Sequence, residues 1–242
     1  MSSTALVLGG SSGIGAAVVR ALVRDGHDVA VGHHSGADRA LALVEQATAA
    51  GRRAVAVQAD VRTEQGVVGA FDTAERELGG LDVVVHSVGA WTYTKLVDLT
   101  AEEMDESWAL NLRSVLLTLR ESARRVRDGG RVVVLSSAVA DLAPARQISY
   151  AAAKGGLEAA VRVAAKELGR RGVTVNAVRP GATDTPALRR TTSEQAIEAM
   201  SGAPTLRRLG EPEDIADVVA FLTGTGGRWV TGAVLDATGG LR

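Results

Sequence analysis

Tyr150 and Lys154 stand four residues apart, and that spacing on a helix stacks them on one face. A free phenol has a pKa of ~10, so acting as an acid or base near pH 7 asks for ~3 units, or ~4 kcal/mol. An ammonium ~5 Å away at an effective dielectric of ~20 supplies ~3 kcal/mol. A helix N-terminus can provide part of the remainder. A chance pairing is uncommon, because the chain has only two Tyr and three Lys. Ser137 lies thirteen residues before Tyr150, at the end of the run Val-Val-Val-Leu-Ser-Ser. A hydroxyl there can hydrogen-bond a substrate carbonyl as charge develops on its oxygen. Asn111, in Trp108-Ala-Leu-Asn111-Leu, falls in a predicted helix and would carry no meaning alone.

A second constellation, Gly9-Gly10-Ser11-Ser12-Gly13-Ile14-Gly15, follows the first strand-like run and opens the first helix. Glycines there let the backbone turn tightly and approach a pyrophosphate, whose charge the helix N-terminus favours. The candidate cofactor contacts in this turn are Gly9, Ser11, Ser12, Gly13, Ile14 and Gly15. The second run ends at Gly32-His33-His34-Ser35, with no acidic residue until Asp38. An acid at that point would bind the adenosine 2′-hydroxyl and repel a 2′-phosphate. Its absence favours NADP(H) over NAD(H), with His34, Ser35, Arg39 or the Ser11 hydroxyl as phosphate donors. The two histidines also read as a plain solvated turn.

These residues need a scaffold, and short β-branched runs alternate with helical stretches along the whole chain. The strand-like runs are 4–8, 28–31, 54–58, 82–86, 131–136, 174–178 and 233–236. Several are apolar on both parities, as a strand covered on both faces requires. Helical periodicity covers about 13–25, 37–50, 64–78, 101–127, 150–171 and 213–222, with Thr100 to Glu103 reading as a capping box and Pro212 in a first turn. The expectation is one α/β domain over 1–242, a doubly wound parallel sheet of about seven strands (a Rossmann fold) in three layers. Only 182–206 lacks firm periodicity, and its place late in the fold suggests a substrate lid. On the catalytic helix, Tyr150, Lys154, Leu157, Val161 and Leu168 form an inner face. Ala152, Gly155, Gly156, Ala159 and Val163 form a smooth outer strip. Each mid-helix Gly costs ~1 kcal/mol, so the strip points to a helix-paired homo-oligomer.

Composition narrows the function. Hydrophobic residues make up 46%, and 27 basic against 28 acidic residues leave a net charge of -1, so no global field draws the chain to nucleic acid or membrane. With no cysteine, disulfides, thiolate metal sites and Cys nucleophiles are excluded, and no metal site is expected. No stretch nears ~18 apolar residues and no signal peptide is evident, so a cytoplasmic protein is expected.

Taken together, the Gly-x3-Gly-x-Gly turn and the ordered set Asn111, Ser137, Tyr150, Lys154 resemble the Tyr-x3-Lys branch of the short-chain dehydrogenase/reductase superfamily. The resemblance spans essentially the whole chain. Leu209-Gly-Glu-Pro-Glu-Asp-Ile-Ala216 is most similar to 3-oxoacyl-carrier-protein reductases. The resemblance implies that Asn111 anchors a water relaying protons to Lys154, and that Lys154 holds the ribose. It also implies that Asp60 and Val61 meet adenine, that Ser87 and Gly89 border the cofactor, and that Pro180, Gly181, Thr183 and Thr185 hold the nicotinamide carboxamide. Leu8 departs from the family's Thr, and Thr238-Gly239-Gly240 from its terminal pattern. His86-Ser87-Val88-Gly89 replaces the usual Asn-Asn-Ala-Gly and resembles the superfamily's enoyl reductases. Those carry Lys seven residues after the Tyr, where this chain has Leu157, so carbonyl chemistry is preferred. His86 is read as a satisfied core residue beside the cofactor.

Trp91 and Tyr93 follow the fourth run and suggest a partly apolar substrate wall, against plain loop packing. Val139, Leu142, Gln147, Leu188 and the lid can complete it. Arg171 fits the family's carrier-protein patch, while Asp128 sits in a second patch near Arg124, Arg125 and Arg127. The expected function is an NADPH-dependent ketone reductase, reversible as an alcohol dehydrogenase, on a free or carrier-bound small molecule; by resemblance it is a homotetramer. The alternatives are an NAD-dependent alcohol dehydrogenase, an enoyl reductase and a non-catalytic dinucleotide-binding protein.

Overall fold

The β-branched runs pair side by side, the central ones buried on both faces. In a computed structural model, residues 3–241 are described. The chain runs β1 (Thr4–Leu8), α1 (Gly13–Arg24), β2 (Asp28–His33), α2 (Ala37–Ala49), β3 (Ala54–Gln58), α3 (Glu64–Leu78) and β4 (Leu81–His86). It continues through α4 (Ala101–Trp108), α5 (Ser114–Arg125), β5 (Val126–Leu135), α6 (Val139–Leu142), α7 (Ile148–Leu168) and β6 (Thr174–Pro180). The last elements are α8 (Pro186–Thr191), α9 (Glu194–Gly202), α10 (Pro212–Thr223) and β7 (Val234–Ala237). All strands pair in parallel in the order β3-β2-β1-β4-β5-β6-β7. The order reverses between β1 and β4, and the crevice beyond the carboxyl ends of those strands is where such sheets bind ligands.

Strand periodicity of two divides the core. Leu6, Leu8, Val84, Val132 and Val134 pack under α3, α5 and α7, whereas Ala5, Val7, Val83, Val85 and Val133 pack under α1, α2 and α10. That gives three layers, helix–sheet–helix. No helix of the described residues is long and apolar enough to cross a membrane.

Three expectations are corrected. The helix read over 101–127 is broken by a π turn, Ala109–Arg113, and β5 begins at Val126 with a register shift between Leu81 and Val83. The polar Arg-Asp-Gly-Gly at 127–130 hides that early pairing. The segment 182–206 holds two helices whose ends are marked by side-chain caps: Thr185 Oγ1 accepts from Leu188 N at 3.2 Å, and Ser193 Oγ from Ala196 N at 3.4 Å. Their shortness left no apolar period to read. Thr100 caps α4, accepting from Glu103 N at 3.2 Å, but the box stays open because Glu103 Oε1 accepts from Thr94 Oγ1 at 2.8 Å. The closed box is at α10, between Glu211 and Asp214 around Pro212.

Candidate active site

A cleft of about 840 Å³ lies over the carboxyl ends of the strands; the candidate cofactor and substrate residues line it, except Arg39, which stands outside its lining. At one end the chain leaves β1 through Gly9, whose φ is +77°, and enters α1 at Gly13. A methyl group at Gly15 would sit 2.1 Å from the Gly9 carbonyl oxygen, so the turn closes on itself only without a side chain. Beyond it, Arg39 Nε donates to Ser11 O at 3.2 Å, bringing a guanidinium to the β2–α2 loop beside exposed His34 and Ser35. Asp60 Oδ1 and Oδ2 accept from Arg62 Nε and Nη2 at 2.9 and 2.7 Å, and this partner holds the Asp60 carboxyl down at about 2. His34 Nε2 lies 3.9 Å from the same carboxylate. His33 is buried, held below its ordinary pKa by desolvation, and its Nδ1 has no partner. Arg62 and His33 also line this end, each next to a residue that the sequence singles out, Val61 and His34. A backbone cradle, cationic side chains and an orphaned buried nitrogen suit an anionic dinucleotide.

At the other end α7 brings Tyr150 and Lys154 into the wall, both buried, at the first and second turns of the helix. Lys154 Nζ donates to Leu135 O at 2.8 Å and stands 5.6 Å from the Tyr150 ring centroid. Burial lowers the ammonium to about 8, against support from Glu158. Burial pushes the Tyr150 phenol up, and the hydrogen bond from Ser137 opposes that rise. The acidification expected from Lys154 does not appear in the protein by itself: the phenol is raised by burial and by Tyr93, and only Ser137 lowers it. Asn111 is fully buried and stands behind the wall rather than in it. Its Nδ2 donates to Ala90 O and Ser107 O, both at 2.9 Å, and its Oδ1 accepts from Ala90 N at 3.0 Å. A methyl group at Gly89 would lie 3.0 Å from Asn111 Oδ1 and 3.2 Å from Lys154 Nζ, so the two side chains converge there.

The roof over Tyr150 comes from three loops. Trp91 is half-buried and Tyr93 exposed, and the next residue ties its loop down, Thr94 N donating to Arg146 O at 2.9 Å. Ala143 and Arg146 adopt left-handed φ values of 43° and 70°, strain of the kind that collects at functional loops. Gln147 and Leu188 are buried, Val139 is half-buried and Leu142 exposed. Pro144 and Met200 join this wall unforeseen, the latter because α9 was not anticipated.

A family model described as Enoyl-(Acyl carrier protein) reductase matches residues 9–242. The chain belongs to the short-chain dehydrogenase/reductase superfamily. An uncharacterized oxidoreductase of Methylorubrum extorquens is 38% identical over 98% of this chain and 97% of its own length. Among solved structures, a short-chain dehydrogenase from Burkholderia cenocepacia in complex with NADP aligns with a TM-score of 0.93 at 38% identity, covering 98% of this chain and 97% of that one. The angucycline C-6 ketoreductase LanV with bound NADP aligns at 0.94 and 36% identity, covering 98% and 95%. A second structure of LanV, as landomycin C-6 ketoreductase, holds NADP and rabelomycin.

Within this short-chain dehydrogenase/reductase, His86 is fully buried, with Nδ1 2.9 Å from Thr118 Oγ1 and Nε2 3.3 Å from Ser114 Oγ. Burial, with Lys154 nearby, holds the imidazole at about 3, so it is neutral. Ser114 Oγ also donates to Leu110 O at 2.5 Å, filling the carbonyl the π turn leaves over. The arginines resembling a carrier-docking patch each have an acidic neighbour in the chain itself. Arg171 pairs with Asp128 at 2.7 Å, Arg127 with Asp82 at 3.1 Å, and Arg124 and Arg125 with Glu121 at 3.0 Å.

Proposed function

We propose that this chain is an NADP(H)-dependent ketone reductase, reversible as an alcohol dehydrogenase, acting on free rather than carrier-bound carbonyl compounds. The carrying observation is the placement of Ser137, Tyr150 and Lys154 together at the buried end of a cleft whose far end suits a dinucleotide. The Gly9–Gly15 turn would hold the pyrophosphate, with Asp60 and Val61 at adenine and Arg39, His34 and Ser35 at the 2′-phosphate. Thr183, Thr185 and the Pro180–Gly181 turn would hold the nicotinamide. NADP-bound relatives of the same fold support that choice. The cofactor, when bound, supplies or takes the hydride.

Ser137 donates to the carbonyl oxygen and Tyr150 delivers the proton to it as the alcohol forms. Lys154 Nζ donates one of its three hydrogens to Leu135 O on the strand, which would leave the other two for the ribose. Asn111 holds the Ala90 peptide that borders the nicotinamide side of the cleft, and the proton path the family resemblance assigns to it would run past Gly89 to Lys154. Trp91, Tyr93, Val139, Leu142, Gln147 and Leu188 would receive a carbonyl compound with an apolar body, and the helices of 182–206 would cover it as a lid. Rabelomycin in LanV is consistent with a wall of that kind.

Enoyl reduction has the family model's description in its favour. Against it, the position seven residues after Tyr150 is Leu157, wholly buried in the core under α7. The internal pairing of Arg124, Arg125, Arg127 and Arg171 argues against an acidic carrier. The exposed Ala152, Ala159 and Val163 on α7, with open space at Gly155, support a helix-paired homo-oligomer, a tetramer by resemblance, which light scattering on the purified chain checks. The deciding experiment follows NADPH consumption over a panel of ketones and activated alkenes. Ketone turnover that falls ~10²-fold or more in Tyr150→Phe, with NADPH binding intact, is expected. Turnover on alkenes alone, or an unchanged rate in the variant, overturns the reading.

A further inference from the structure

We infer that Glu158 and Arg179 form a positioning pair that sets the reaction centre, a role that rests on the reductase reading above. Glu158 lies one helical turn beyond Lys154 on the buried face of α7. Its Oε1 accepts from Ser136 Oγ at 2.6 Å and from Arg179 Nε at 3.1 Å, and its Oε2 accepts from Arg179 Nη2 at 2.8 Å. Arg179 Nη1 donates to Asp236 Oδ1 at 3.0 Å, across the β6–β7 register.

Successive turns of α7 therefore grip successive residues at the end of β5. Lys154 takes Leu135 O, Glu158 takes the Ser136 hydroxyl, and the next residue is Ser137. On its other side the pair reaches β6, because Arg179 immediately precedes Pro180 and Gly181. Pro180 O in turn accepts from Ala138 N at 2.8 Å, one residue past Ser137. The ion pair thus sits where the three elements bearing Ser137, Tyr150 with Lys154, and the 180–185 segment meet. A bidentate guanidinium–carboxylate pair fixes direction as well as distance. Apolar residues of similar volume fill such a site with little cost in stability, so a buried charged pair with a matched hydroxyl is best explained by the geometry it imposes. Glu158 is also the charge that favours the protonated form of Lys154, so one carboxylate serves both the frame and the cation.

Two variants test this. Ser136→Ala removes only the strut to β5 and leaves the ion pair; Glu158→Leu with Arg179→Leu replaces the pair by apolar volume. Melting temperature, NADPH affinity, kcat and the phenolate titration of Tyr150 are measured for each, the titration in a Tyr93→Phe background that leaves one tyrosine. Ser136→Ala is expected to lower kcat ~5–10-fold with NADPH affinity within about twofold, because misplacement of reacting groups costs rate before binding. The Tyr150 midpoint is expected to move upward, since the hydrogen bond from Ser137 opposes the effect of burial. The double variant is expected to lose more of both. Unchanged kcat and midpoint in Ser136→Ala, with only the melting temperature moved, overturn the proposal even where the double variant does not fold. If the wild type reduces no ketone, the reductase reading fails by itself, and the position of the Tyr150 midpoint still decides for or against the pair.

Discussion

At the glycine turn the wall of the cleft is backbone, turned by Gly9 and Gly15 against the end of β4, while at the reaction end it is side chains carried by loops and short helices over α7. A methyl group at Gly9 would lie 2.7 Å from Ser87 O, and one at Gly15 is excluded by Gly9 O. Nothing comparable constrains Trp91, Tyr93 or Leu142, which stand partly or largely in solvent. The shape of the first region, which under the proposed function would offer amide N–H groups to phosphate, does not depend on rotamers. The second can change its apolar lining without disturbing the sheet. Cofactor identity and substrate range can therefore vary independently in this architecture.

That contrast is open to attack by substitution. The largest effect is expected at Gly15→Val, where the added carbon collides with backbone. NADPH binding should fall below detection and the protein should melt at a lower temperature; retained binding at native stability would show that the turn is more yielding than its distances imply. Trp91→Ala is expected to leave NADPH affinity unchanged and raise KM for an apolar ketone ~10-fold, in line with ~1–3 kcal/mol for lost side-chain burial. A weaker cofactor complex in that variant would mean the two regions are not separable.

An effect on stability rather than on binding belongs to His86, buried behind the cleft wall. Its folded pKa of about 3 is below its unfolded value of ~6.5, so only the unfolded chain takes a proton between them. Stability is complete above ~6.5 and falls as pH drops, by about 1.4 kcal/mol per unit from this group. His86→Asn should therefore flatten the decline in melting temperature between pH 6 and 4. An identical slope in both proteins would place the acid sensitivity elsewhere.

What the sequence made legible follows the same division. The glycine turn, the Tyr150–Lys154 spacing and the doubly buried strands are local patterns, and the fold places them as their periodicity implies. The π turn at Ala109–Arg113 is not local in origin: Ser114 caps Leu110 O while also meeting His86 from another element. Helices α8 and α9 escaped notice because six and nine residues are too few for an apolar stripe. The partnership of Glu158 with Arg179, twenty-one residues away, is set by tertiary packing, which spacing along the chain does not encode.

The central claim is that proton delivery by Tyr150 needs the buried ammonium of Lys154 beside it. Lys154, held near 8, should make ketone reduction depend on its charge. Measured as kcat/KM for a ketone with NADPH, the wild-type rate is predicted to hold to about pH 8 and to fall steadily above it, while Lys154→Met shows a far lower rate at every pH. A wild-type rate that stays level through pH 10, or a methionine variant that keeps wild-type turnover, would contradict the account.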